Sequence, residues 1–191
     1  MKSLTILFLF SILFNANMHA QNNASFERKG FIFGAAIGIS SVSLKYPSQP
    51  TQNEISASLP NFKIGTMISN RTAVVVYLPG SIYTYEGSGR NRDRGFEAII
   101  PSVQYWLKDR WWILGGAGLG MDAPAFYDIK NEEERKFYFG SSVIAATGYE
   151  IWRKEKFTLD IQGRVHYGSA NVSEGTRNGM AYNLLVGFNW Y

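Results

Sequence analysis

The chain has 191 residues, 46% hydrophobic, 15% aromatic and 18% charged, with 19 glycines and no cysteine. That length suits one domain, and the low charge with many aromatics and glycines argues against a helical bundle and for β-structure with many turns. The absence of cysteine excludes a disulfide framework, and a formal net charge of +4 is too mild to point to nucleic acid.

The first segment stands apart. Met1-Lys2-Ser3 is a short positive start, Leu4 to Phe14 is an apolar core, and Asn15 to Ala20 ends in "MHAQ" with small Ala20 before the cut. This is the three-part pattern of an export signal over residues 1–20. The apolar run is about half of the roughly 20 residues that a spanning helix needs. Residues 21–29 form a short lead, and 30–191 form the folded body.

From there no stretch keeps a helical period. Strand-like segments are expected at 30–46, 55–69, 71–86, 94–107, 110–122, 136–153, 156–172 and 178–191. They are far longer than the usual 5–6 residues or so of soluble strands, and long enough to cross a bilayer at a tilt. Three connections are very short, at 69–72, 107–110 and 153–156, and four are longer and polar, at 46–54, 86–95, 122–136 and 169–179. Short and long alternate, as in barrels with short periplasmic turns and longer outer loops.

The last segments alternate cleanly. Phe157, Leu159, Ile161, Val165 and Tyr167 share one face, and Thr158, Asp160, Gln162, Arg164 and His166 the other. The first two segments change parity near Ser40-Ser41 and Pro60-Asn61, which predicts bulges. Pro79 and Pro101 fall inside segments and need a bulge or an unpaired position.

The tryptophans indicate which face is outside. Trp106, Trp111, Trp112, Trp152 and Trp190 all lie near a short turn or the C-terminus, which predicts an aromatic girdle at one bilayer interface. Tyr46, Tyr83, Tyr85, Phe96, Tyr138 and Tyr167 mark the other end. The chain stops on "LLVGFNWY", Leu184 to Tyr191, so the last strand is expected to pair with the first, because an open edge in lipid is costly.

That ending is similar to the C-terminal assembly signal of outer-membrane proteins, with Tyr191 one residue beyond the apolar register. With the export signal, the chain resembles small eight-stranded outer-membrane β-barrels of the OmpA/OmpX-like, porin-family type, in the glycine-rich aromatic style of Bacteroidota. The resemblance implies an all-β, transmembrane, antiparallel up-and-down barrel in the outer membrane. It further implies a structural, porin-like or surface-binding role without enzymatic activity or cofactor. The implied partners are outer-membrane lipid, lipopolysaccharide and the barrel-assembly machinery, with the barrel a monomer.

Candidate functional residues follow from the alternation. Lys63, Gln104, Glu150, Asp160, Gln162, Arg164 and His166 are expected to line the lumen as a hydrogen-bonded, charge-paired plug, with Asp160 and Arg164 belonging to it. The alternative is a lipid A deacylase of the PagL type, for which His166, Ser169, Asn171 and Glu174 are the candidates. There the family's His and Ser are two residues apart; His166 and Ser169 are three apart and face opposite sides of a regular strand. Arg90, Arg92 and Arg94 read first as a solvated polar outer loop, with contact to lipopolysaccharide phosphates as the alternative. Asp128, Glu132, Glu133 and Glu134 form an acidic patch without EF-hand spacing. With no cysteine, and His166 the one histidine outside residues 1–20, no metal site is expected.

Overall fold

A computed structural model describes residues 26–47, 50–86, 90–173 and 175–191. The expected export segment, Gly87 to Gly89 and Glu174 lie outside the described residues. The described chain forms ten antiparallel strands: β1 (Phe31–Lys45), β2 (Gln52–Ser58), β3 (Phe62–Ser69), β4 (Thr72–Leu78), β5 (Gly80–Tyr85), β6 (Arg92–Trp106), β7 (Trp111–Pro124), β8 (Tyr138–Lys154), β9 (Phe157–Val172) and β10 (Gly175–Trp190). β10 pairs with β1 from Phe33↔Trp190 to Lys45↔Asn178, so the sheet closes on itself.

The strand count is ten rather than eight. β2 and β3 lie end to end along β1, and β4 and β5 lie end to end along β6, so the ten strands occupy eight positions around the wall. The breaks fall at Pro60 and Pro79, because proline has no N–H for the ladder. Beyond the breaks, β2 and β5 are joined by side chains: Gln52 Nε2 donates to the Thr84 carbonyl at 2.6 Å, and the Thr84 N–H donates to Glu54 Oε2 at 2.9 Å.

Other expectations need correction. β1 has no bulge at Ser40-Ser41, since its register with β10 runs unbroken. Its apparent change of parity is a change of lumen chemistry: Val42 and Leu44 point inward onto an apolar cluster with Tyr46, Tyr83, Tyr85 and Phe96. Those four aromatics therefore fill the half of the lumen away from the short turns instead of a second girdle. The expected loop at 169–179 is mostly strand, because Gly175, at φ 121°, turns the chain tightly between β9 and β10. Pro101 sits within β6 facing outward, where the β6–β7 pairing skips from Ile99↔Leu119 to Ser102↔Gly116.

Alternation sorts the side chains into an inverted distribution. Ile37 is 65% exposed and Leu184 57%, whereas Glu150, Asp160 and His166 have no exposed area. An apolar belt this continuous marks an interaction with another phase. The charged residues occupy the space a soluble barrel fills with apolar ones.

Candidate functional site: a charge-lined lumen

The lumen is built in three tiers. The tier at the end with the short turns centres on Glu150, whose inward position in β8 is followed by a bulge between Glu150 and Trp152. That extra residue leaves Ile151 and Trp152 both outward and returns Arg153 toward the carboxylate. Glu150 accepts hydrogen bonds from Arg28 (2.9 Å), Arg153 (2.6 Å), Trp106 Nε1 (2.8 Å) and Tyr191 Oη (3.2 Å). The Arg28 guanidinium also lies 4.7 Å from the Trp106 ring centroid. Phe26 and Arg28 thus pack across this mouth, Phe26 against Tyr191 at 5.8 Å, and Arg28 is only 3% exposed.

Tyr191 explains the residue beyond the apolar register. Trp190 faces out and Tyr191 turns in, 3% exposed, with its ring edge-on to Trp106 at 5.8 Å. The expected girdle needs a matching correction. Trp111, Trp152 and Trp190 face outward, but Trp106 and Trp112 are buried in the lumen. Adjacent Trp111 and Trp112 must point to opposite faces, and Trp106 pairs with Trp112 across the ladder. Their indole N–H groups meet Glu150 and Asp160.

The middle tier begins beside Glu150 with its cross-strand partner Asp160, which accepts from Trp112 Nε1 (3.0 Å), Gln162 Nε2 (2.7 Å) and Asn189 Nδ2 (2.9 Å). Lys63 donates to Gln104 Oε1 at 2.8 Å and lies 4.9 Å from the Trp112 ring centroid. Arg164 is not paired with Asp160. Four residues along one strand separate the two by about 13 Å, beyond ion-pair reach. Arg164 instead spans the lumen to the broken positions: it donates to Asn61 Oδ1, to Tyr77 Oη (3.0 Å), to Ser58 Oγ (2.9 Å) and to the Gly80 carbonyl (3.3 Å). It ties together two breaks that the prolines create. The expected single plug is therefore several separate networks.

The tier at the end away from the short turns centres on Asp122, which holds Arg94 and Arg177 as buried ion pairs and accepts from Tyr83 Oη. Arg94 also donates to the Glu134 (3.4 Å) and Lys136 (2.8 Å) carbonyls, which fastens the β7–β8 loop over the mouth. Arg177 stacks over Phe96 at 5.0 Å, and Phe96 stacks on His166 at 4.6 Å. Asp122 and Arg177 were not among the sequence candidates. Inward parity along β7 marks Asp122, whereas Arg177 was hidden in an expected loop.

The arginine loop is also consumed from within. Arg90 pairs with Asp128 (2.9 Å) and Glu134 (3.0 Å), and the Asp93 N–H donates to Asp128 Oδ2 (2.9 Å). Arg92 lies 4.4 Å from the Tyr85 ring centroid, and Arg94 is buried on Asp122. A free phosphate-binding rim is thus not what these residues form. In the acidic patch, Glu132 pairs with Arg135, and no metal-holding cluster occurs among the described residues.

This clamp predicts a pH response. The Asp93 N–H and the Arg90 guanidinium hold Asp128 below its usual carboxylate value, and the Lys130 N–H and Arg90 do the same for Glu134. Carboxylates lowered on folding stabilise fully above their unfolded pKa, about 4, and lose that contribution as pH falls through the lower folded values. Protection against hydrogen exchange in residues 125–137, taken relative to the intrinsic rate at each pH, should therefore fall as the pH drops below about 4 while β8 and β9 stay protected. Unchanged loop protection at pH 3 (about one unit below that range) would contradict the clamp.

The deacylase constellation does not assemble. His166 is buried in the lumen, whereas Ser169 lies on the other face and hydrogen-bonds Ser141 Oγ at 3.1 Å. Asn171 is at the rim and accepts from Thr176 at 3.0 Å; Glu174 lies outside the described residues. The serine beside His166 is Ser142, at 2.7 Å. Its hydroxyl also donates to the Tyr167 carbonyl at 2.9 Å, and the pair is enclosed in the lumen, away from the lipid face where a deacylase would meet its substrate.

Bulky side chains fill the lumen along its length, among them Trp106, Trp112, Arg94, Arg177, Tyr83 and Phe96. Beside Lys63, Trp112 and Asn189 lies a cavity of about 10 Å³, room for a single water at most.

Known structures share this architecture. Ail, the attachment invasion locus protein of Yersinia pestis, matches at TM-score 0.55 with 12% identity, over 85% of this chain and 99% of that one. The fold is that of the small outer-membrane β-barrels. A second Ail structure, in complex with the heparin analogue sucrose octasulfate, matches at TM-score 0.53 with 13% identity, over 85% and 99% of the two chains. Neisserial surface protein A matches at 0.52 with 16% identity, over 84% and 96%. Neither a protein-family model nor a curated protein matches the sequence.

Proposed function

We propose that this chain is a passive, non-enzymatic barrel of a bacterial outer membrane, with its apolar belt in lipid and its lumen closed. The carrying observation is the three-tier lumen, in which Glu150, Asp160 and Asp122 each bind several donors and bulky side chains fill the cross-section. No solute path or reaction centre is required by this arrangement. The exposed surfaces, rather than the interior, then carry any binding. Ail binds sucrose octasulfate; in this chain Arg90 and Arg94 are engaged by its own carboxylates and Arg92 lies on the Tyr85 ring, so a polyanion is not the ligand favoured here. The paired strand β10 is the element that the assembly machinery would read.

Expression in a bacterium should place the protein in the outer-membrane fraction and leave the mass of lipid A unchanged. A shift in lipid A mass by one acyl chain would restore the deacylase reading. The loops after β5 and β7 should face outward and the turns after β3, β6 and β8 the periplasm. With no native cysteine, Asn131→Cys and Lys154→Cys give unique labelling sites. In intact cells a membrane-impermeant maleimide should label the first and spare the second. Equal labelling would overturn the orientation.

A further inference from the structure

The β7–β8 loop carries two aromatic side chains with few contacts: Phe126 is 75% exposed and Tyr127 71%. Both sit on a short 3-10 turn, Phe126–Asp128. The turn is not loose. Arg90 and the Asp93 N–H hold Asp128, and Tyr127 Oη donates to Asp93 Oδ2 at 3.0 Å. Two rings thus stay exposed on a segment fixed by charge-assisted bonds, although exposing them to water is unfavourable.

Their direction is set by a file of rings. Phe126 packs on Phe137 at 6.2 Å, and Phe137 stacks on Phe139 at 6.5 Å. Phe139 faces outward from β8 in the same register as Val143, Tyr149 and Ile151. The file therefore climbs the outside of the wall and does not lean over the mouth. Its height follows from β8. From Tyr149, the partner of outward Trp111, to Phe139 is ten residues. At a rise of about 3.3 Å and a tilt of about 40°, they climb about 25 Å, the thickness of the apolar band of such barrels. Phe139 thus stands at the outer boundary, and Phe137 and Phe126 continue above it.

We infer that Phe126, Phe137 and Phe139 form an interfacial foot by which the β7–β8 loop inserts into the outer leaflet of the protein's own membrane. This inference rests on the outer-membrane reading proposed above. The occupant is lipid because the file is continuous with the lipid-facing belt and ends where an aromatic ring is favoured, at the boundary of chains and headgroups. The clamp at Arg90 orders the loop beforehand, so insertion costs little further conformational entropy.

The test uses the cysteine-free chain, with Phe126→Cys, Glu132→Cys and Val143→Cys each carrying a nitroxide, in dimyristoyl phosphatidylcholine vesicles. Collision of the label with a water-soluble nickel chelate and with oxygen reports its depth. Val143, on the mid-belt outer face, and Glu132, 84% exposed in the loop, are the lipid and water references. Nickel accessibility at position 126 should fall about threefold or more below that at 132, with oxygen accessibility raised toward that at 143. A label at 126 as nickel-accessible as at 132, with 143 protected, would overturn the inference alone. Nickel access at 143 would overturn the membrane reading itself. Protection at 126 that disappears on dilution of protein in lipid would also overturn the inference, in favour of contact between copies.

Discussion

Replacing Glu150 by alanine should destabilise the folded barrel by about 3–5 kcal/mol, the usual cost of leaving a buried charge without its partner. Arg28 and Arg153 would both lose their buried carboxylate, and Trp106 Nε1 and Tyr191 Oη their acceptor. The check is reversible urea unfolding in detergent or lipid, read by the mobility shift between folded and unfolded barrel. Glu132→Ala is the control: its ion pair with Arg135 is exposed, and such pairs are worth about 0–1 kcal/mol. Equal midpoints for the two variants would contradict the role given to Glu150. The same variant should free Phe26 to Lys29 from the mouth, which protease sensitivity at Lys29 would report.

Asp122→Ala should have an effect of similar size, about 3–5 kcal/mol, and a different location. Arg94 and Arg177 would lose their shared carboxylate, and Tyr83 its acceptor. Because Arg94 also holds the Glu134 and Lys136 carbonyls, the β7–β8 loop should loosen together with the Asp122 tier. Hydrogen exchange should therefore rise in residues 125–137 for Asp122→Ala and at the opposite end for Glu150→Ala. Arg92→Ala, which removes a guanidinium stacked at the rim, should alter neither. Parallel loosening of both ends by either variant would mean that the tiers are one network and not separate ones.

The alternation of strands β8 to β10 made much of the barrel legible in the sequence. Thr158 to His166 read as an inward polar row because polar and apolar residues alternate strictly there. Where the lumen itself turns apolar, that signal fails. Val42 and Leu44 are inward and apolar, so β1 suggested a bulge that the register with β10 does not contain. The strand breaks were visible only as Pro60 and Pro79. Proline says that a ladder bond is missing, but the remedy lies across the barrel, where Arg164 reaches the broken positions. No local pattern in the chain encodes that contact.

The tryptophans illustrate a second limit. Proximity to a short turn puts all five at one end of the barrel but could not give their side. Trp111 and Trp112 are neighbours at one height, and one faces lipid while the other donates to Asp160. Strand parity decides between them, and parity in β6 and β7 was obscured by glycines and Pro101. Asp160 and Arg164 were placed on the right face, yet position on one face does not imply contact. Their separation along β9 already forbids a pair.

The central claim is a closed lumen, and single-channel recording in a planar lipid bilayer tests it most directly. The purified, refolded barrel should insert without steady conductance, with at most brief flickers as side chains rearrange. Large, stable, ohmic openings from the unmodified protein would contradict the closed lumen and with it the passive role proposed here.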